Sequence, residues 1–184
     1  MHVRTSVVLS SLAFAFVVGL SACEEKQTAS ATRAAPSARA PESAVPAATF
    51  LASAPADAKP VKEAKASAAM NDRVVLRGRI GSGEEPFVKG RAVFTVVDLG
   101  VKYCGEVEKD DCKTPWDYCC EPPDVLSASS ATIQLVDAAG HPLRTELSGT
   151  HGLRPLAVVT VVGKVSQKDG ETFIINAENL YVQP

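Results

Sequence analysis

Four of the chain's five cysteines fall in one stretch, Cys104 to Cys120, which reads CGEVEKDDCKTPWDYCC. It also holds the only tryptophan, Trp116, and Tyr118. Thiols gathered this way support several chemistries. Outside the cytoplasm they pair, and four cysteines allow three pairings. A bridge between the neighbours Cys119 and Cys120 is strained. That leaves Cys104–Cys119 with Cys112–Cys120, or Cys104–Cys120 with Cys112–Cys119. Each bridge would stabilise by about 2–3 kcal/mol in the chain-entropy account, enough to order the loop. The leading expectation is a disulfide-stabilised loop through Cys104, Cys112, Cys119 and Cys120, with no metal and no cofactor. The alternative is a metal, since four thiolates bind zinc tetrahedrally. Its spacing is unusual, because the stretch contains no C-x-x-C pair. His141 and His151, each in a turn region, are further donors. A redox dithiol lacks the C-x-x-C arrangement that lowers a thiol pKa. Blue-copper sites add two histidines and usually a methionine, and the only methionine beyond Met1 is Met70.

The stretch is also acidic. From Cys104 to Asp124, Glu106, Glu108, Asp110, Asp111, Asp117, Glu121 and Asp124 face only Lys109 and Lys113. Hard carboxylate oxygens suit calcium, but the D-x-D-x-D-G order of an EF-hand is missing and a solvated acidic loop is the simpler expectation. Trp116 and Tyr118 stand two residues apart, on one side of an extended segment. They either fasten the loop to the domain or form the surface pair that binds a partner, a protein or another cell-envelope ligand.

Other chemistry is absent. The sequence has no G-x-x-x-x-G-K-[ST], no G-x-G-x-x-G, no G-x-S-x-G and no H-E-x-x-H. Ser148-Gly149-Thr150-His151 reads as a turn, and the chain is expected not to be an enzyme. The formal net charge is −2, and from Asn71 onward 12 basic residues face 16 acidic ones. Arg73, Arg77, Arg79, Arg91 and Lys164, with Phe94 or Phe173 nearby, would be the residues of a nucleic-acid face. Such affinity needs phosphate neutralisation, and the acidic balance argues against it.

Three segments surround or carry this loop. Residues 1–22 have Arg4 near the start and an uncharged apolar run from Val7 to Leu20. The run is shorter than the roughly 20 residues a membrane span needs and has the pattern of an export signal. Residues 23–70 are rich in alanine, with prolines at 36, 41, 46, 55 and 60. Such a composition buries too little apolar surface to offset its ordering entropy, so a disordered linker is expected. Residues 71–184 change texture. Val74–Ile80, Arg91–Asp98, Ala131–Asp137, Ala157–Ser166, Thr172–Ala177 and Leu180–Val182 show β alternation and β-branched enrichment. Gly78 inside the first suggests a bulge or tight bend, and Lys168-Asp169-Gly170 signals a hairpin. The expectation is an all-β fold, a small five- to six-stranded barrel with a long cysteine-rich loop.

Two resemblances sharpen this reading. Leu20-Ser21-Ala22-Cys23 resembles the lipobox of bacterial lipoproteins. That resemblance implies cleavage after Ala22, a lipid on Cys23, and a protein held to a membrane of the cell envelope on its extracytoplasmic, periplasmic side. The strand order from Arg73 to Val182, apart from the cysteine loop, resembles an OB-fold. OB-folds usually carry a helix between the third and fourth strands, and Gly140, Pro142, Gly149, Gly152 and Pro155 leave room only for a short one. The whole chain, through Thr114-Pro115-Trp116-Asp117-Tyr118-Cys119-Cys120 above all, resembles a group of uncharacterised bacterial lipoproteins that brings no activity with it. The combined expectation is a lipid-anchored, non-catalytic binding module. A cysteine-ligated metal site and a nucleic-acid-binding OB-fold are the alternatives.

Overall fold

The computed structural model describes residues 44–108 and 112–184. The leader 1–22, Cys23 and the linker up to residue 43 lie outside the described residues.

Alternation builds the barrel. In β2 (Arg73–Ile80), Leu76, Gly78 and Ile80 turn inward while Arg77 stays exposed. β3 (Val93–Val97) follows antiparallel, with Ile80 opposite Val96. β4 (Ser130–Gln134) runs antiparallel to β3, Phe94 opposite Ile133. β5 (Val158–Asp169) and β6 (Thr172–Val182) form the hairpin signalled by Gly170, whose φ is +45°. β6 lies parallel to β4, and β5 returns antiparallel to β2 from Arg73↔Lys164 to Arg79↔Val158. The order β2-β3-β4-β6-β5 thus closes on β2, so the expected OB-like barrel is present and no edge is left open along that seam. Phe94, Ile133, Val159, Val161, Ile175 and Leu180 fill its interior. The register of the β5–β6 pairing shifts twice, at Val162/Gly163, where Glu178 of β6 is the extra residue, and at Val165/Gln167, where Ser166 of β5 is. Gly78 is not one of them: its strand keeps register, and its missing side chain admits a neighbour instead.

That neighbour comes from residues expected to be linker. Within 44–70, a 3-10 turn at Ala47–Thr49 precedes Phe50, which bridges to Leu180. β1 (Lys59–Pro60) adds a sixth strand, parallel to β2. α1 (Val61–Ser67) buries Val61 and Ala64, and Ala68 follows just past its end. These residues are spaced i, i+3 and i+7, one helix face, and Pro60 stands just before the helix, where its missing N–H costs nothing. The correction to the expected disordered linker is therefore physical: small alanines suffice when a glycine lets the helix approach. A Cβ on Gly78 would lie 2.8 Å from Val61 Cγ2 and 2.9 Å from the Val97 carbonyl.

Lys65 locks this helix down. Its buried ammonium donates to the carbonyls of Ser127 at 2.5 Å, Glu171 at 2.5 Å and Ser130 at 3.5 Å. Burial pushes its pKa down, while Glu171 opposes that shift. Ser127 and Ser130 belong to, or directly follow, α2 (Pro123–Ser129), the helix that leads out of the cysteine loop into β4. One side chain thus joins α1, the exit of the loop and the β5–β6 hairpin. Charge-assisted bonds contribute about 1.5–3 kcal/mol each when buried. Lys65→Ala is expected to lower unfolding free energy by at least about 2 kcal/mol, read by urea denaturation.

No helix forms between β4 and β5. Residues 135–157 instead make a series of turns, with positive φ at Gly140, Gly149, His151, Gly152 and Leu156. α1 supplies apolar side chains to the barrel interior from the other end of the sequence.

Candidate metal centre

The cysteine loop is two limbs zipped together. On the first, a 3-10 turn at Cys104–Glu106 aims the Cys104 thiol inward, where it is buried. On the second, Thr114 to Tyr118 forms a turn closed by the Asp117 N–H on the Thr114 carbonyl. The limbs join through the Cys104 N–H on the Asp117 carbonyl at 2.7 Å and the Gly105 N–H on the Pro115 carbonyl at 2.9 Å.

Nearly every residue of the TPWDYC run has a task in this geometry. The Trp116 indole N–H donates to the Glu84 carbonyl at 3.0 Å. The Asp117 carboxylate accepts from the N–H groups of Gly83 and Tyr118, each at 2.7 Å. Both contacts stitch the loop to the β2–β3 connection. Tyr118 is wholly buried, its ring lying where a Cβ on Gly81 would be. Trp116 is half-buried. The pair therefore does not form the exposed aromatic surface considered for partner binding. The two residues are two apart, but a turn rather than an extended strand carries them, so they part company. Arg79 lies beneath, its guanidinium 4.7 Å from the Tyr103 ring centroid and 3.7 Å from Glu106.

These turns bring three sulfurs together. Sγ of Cys119 lies 3.2 Å from that of Cys104 and 3.7 Å from that of Cys112, and all three lie within 4.8 Å of one another. None of these separations is a bond, which takes about 2.05 Å. Cys104 and Cys119, one of the pairs expected to bridge, stand closest, short of bonding distance. The Cys119 sulfur lies between those of Cys104 and Cys112, and the Cys120 side chain adjoins it.

The electrostatics are those of a shared site. Burial raises the Cys104 pKa, and the backbone amides of Cys120 and Cys119 oppose this by hydrogen bonding to its sulfur. The Thr114 hydroxyl, 3.4 Å away, lowers the Cys112 pKa. Sharing first with Cys104 and then with Cys112 raises that of Cys119. Sulfurs on a tetrahedron of about 2.3 Å bonds stand roughly 3.8 Å apart, so the observed triangle needs only small movements to surround an ion. Among the described residues this is the only group of its kind.

The other expected donors lie elsewhere. His141 stands 3.8 Å from Asp137, and His151 stacks on Phe50 with 3.8 Å between centroids. Asp110 and Asp111, considered for calcium, lie outside the described residues. Of the residues considered for a nucleic-acid face, Phe94 and Phe173 are inside the barrel. Arg73 pairs with Glu178, and Arg77 donates to Gln183. The sequence marked these cysteines but not their grouping, because spacing alone does not say how a turn brings their sulfurs together. No family model matches the chain, and neither does any curated protein or solved structure.

Proposed function

We propose that this chain is a lipid-anchored, extracytoplasmic, non-catalytic binding module whose OB-like barrel carries a thiolate metal site at Cys104, Cys112 and Cys119. The observation that carries the metal reading is the convergence of three sulfurs within 4.8 Å on a loop zipped to a closed barrel. Soft sulfur donors select soft or borderline ions. The anchoring half of the proposal rests on Leu20-Ser21-Ala22-Cys23 and its likeness to a lipobox. No helix among the described residues is long and apolar enough to cross a membrane.

The test is the metal content of the reduced full chain after equilibration with zinc(II) or copper(I) and desalting. One ion per chain is expected. Replacing Cys104, Cys112 and Cys119 together by serine should abolish it while circular dichroism still reports the β fold. Equal metal in the parent and the triple variant would remove the site.

A further inference from the structure

The Cys119 sulfur has two neighbours at two different separations. Cys112 lies 3.7 Å away, close to the roughly 3.8 Å that two ligands of one tetrahedral ion keep. Cys104 lies 3.2 Å away, inside that spacing and about 1.2 Å short of a disulfide bond. The Cys104 and Gly105 N–H groups hold the Asp117 and Pro115 carbonyls, so the zipped limbs already bring these two sulfurs to each other. A sulfur in a disulfide is no longer the thiolate that a metal binds. The two uses of Cys104 and Cys119 therefore exclude each other, whatever further donors the ion takes.

Resting on the metal reading above, we infer that Cys104 and Cys119 are an oxidisable pair whose disulfide releases the metal, and that bound metal in turn shields the pair. The oxidant is an organic disulfide, RS–SR. Cys119 is exposed and reacts first. The S–S bond of the reagent breaks, one half joins the Cys119 sulfur, and the other leaves as RSH with the Cys119 proton. The buried Cys104 sulfur then displaces the second half, which leaves as RSH with the Cys104 proton. The chain gives up two electrons and the reagent takes them. In the oxidising space that the proposal assigns to the chain, the metal-bearing form keeps its thiols and the metal-free form closes.

The experiment starts from the full chain, reduced and metal-free, and from the same chain loaded with the ion it takes up, zinc(II) or copper(I). Both are exposed to hydroxyethyl disulfide without oxygen, alkylated and mapped by peptide mass spectrometry. The first bond to form in the metal-free chain should join Cys104 to Cys119. Cys120→Ser should still form it, and Cys119→Ser should not. The oxidised chain, desalted, should bind the ion more than about 100-fold more weakly, since even groups that only support a ligand are worth 10–100-fold. Dithiothreitol should restore binding. The loaded chain should keep its thiols under the same exposure. A different first pairing, an oxidised chain that still binds the ion, or a loaded chain oxidised as fast as the metal-free one would overturn the switch and leave the metal reading standing. A reduced chain that takes up neither ion would overturn both.

Discussion

Replacing Tyr118 by alanine is expected to lower the domain's unfolding free energy by about 3–5 kcal/mol, the range for truncating a buried aromatic ring. Replacing it by phenylalanine is expected to leave stability unchanged or to raise it. The ring is fully buried on Gly81, and the loop is fastened to the β2–β3 connection through it and its neighbours Trp116 and Asp117. The hydroxyl is another matter. Tyr118 Oη and Arg79 Nη1 are both buried and neither reaches good hydrogen-bond geometry, although the Arg79 guanidinium faces the phenol and opposes the effect of burial on it. Burial raises the Tyr118 pKa, so the phenol stays neutral. A buried hydroxyl without a partner carries a desolvation cost of about 1–3 kcal/mol, and phenylalanine removes it. Urea denaturation of the two variants separates ring from hydroxyl. A phenylalanine variant as unstable as the alanine variant would mean that the hydroxyl is engaged. An alanine variant as stable as the parent would mean that the loop is not anchored here.

The second large effect lies within β2, at Gly78. Gly78→Ala places a Cβ 2.8 Å from Val61 Cγ2, 2.9 Å from the Val97 carbonyl and 3.2 Å from Val96 Cβ. One of these atoms is backbone of β3, so the strand has little room to give. The helix is the softer partner. Overpacking of this kind costs about 1–3 kcal/mol. The distinctive expectation is where the loss appears. Amides of residues 59–68 should exchange with solvent faster, because α1 is displaced from its groove, while the β5–β6 hairpin keeps its protection. Stability and exchange both unchanged would contradict the docking of α1 on this glycine.

The barrel was legible because its strands announce themselves. Val74–Ile80 and Ala157–Ser166 alternate or run apolar over a strand's length, and Lys168-Asp169-Gly170 marks the hairpin between the last two. The sequence underreported β5 and β6, whose polar outer ends are held by mutual pairing as far as Asp169↔Thr172 and Val159↔Val182. It also hid α1. Alanines at 64 and 68 carry little hydrophobic signal, and the prolines around them suggest an extended chain. What makes them core is a partner far along the sequence, Gly78 with its neighbours in β3. Val61, Ala64 and Ala68 behind Pro60 were the available clue. The cysteine cluster was half legible. Composition marked the loop as special, but the grouping depends on two turns and on the hydrogen bonds from Cys104 and Gly105 to Asp117 and Pro115. Those bonds decide that Cys119, and not Cys120, meets Cys104.

The proposal puts the chain outside the cytoplasm, where clustered thiols normally oxidise, so the state of these sulfurs in the protein as made by the cell separates the two accounts. The most direct measurement is native and denaturing mass spectrometry of the full chain isolated from its own cells, with thiol alkylation before and after chelation. The thiolate site predicts one metal ion per chain in the native spectrum. It also predicts that the thiols of Cys104, Cys112 and Cys119 become alkylatable after chelation without any reductant. Cysteines that resist alkylation until a reductant is added, in a chain carrying no metal, would contradict it and make the cluster a disulfide scaffold.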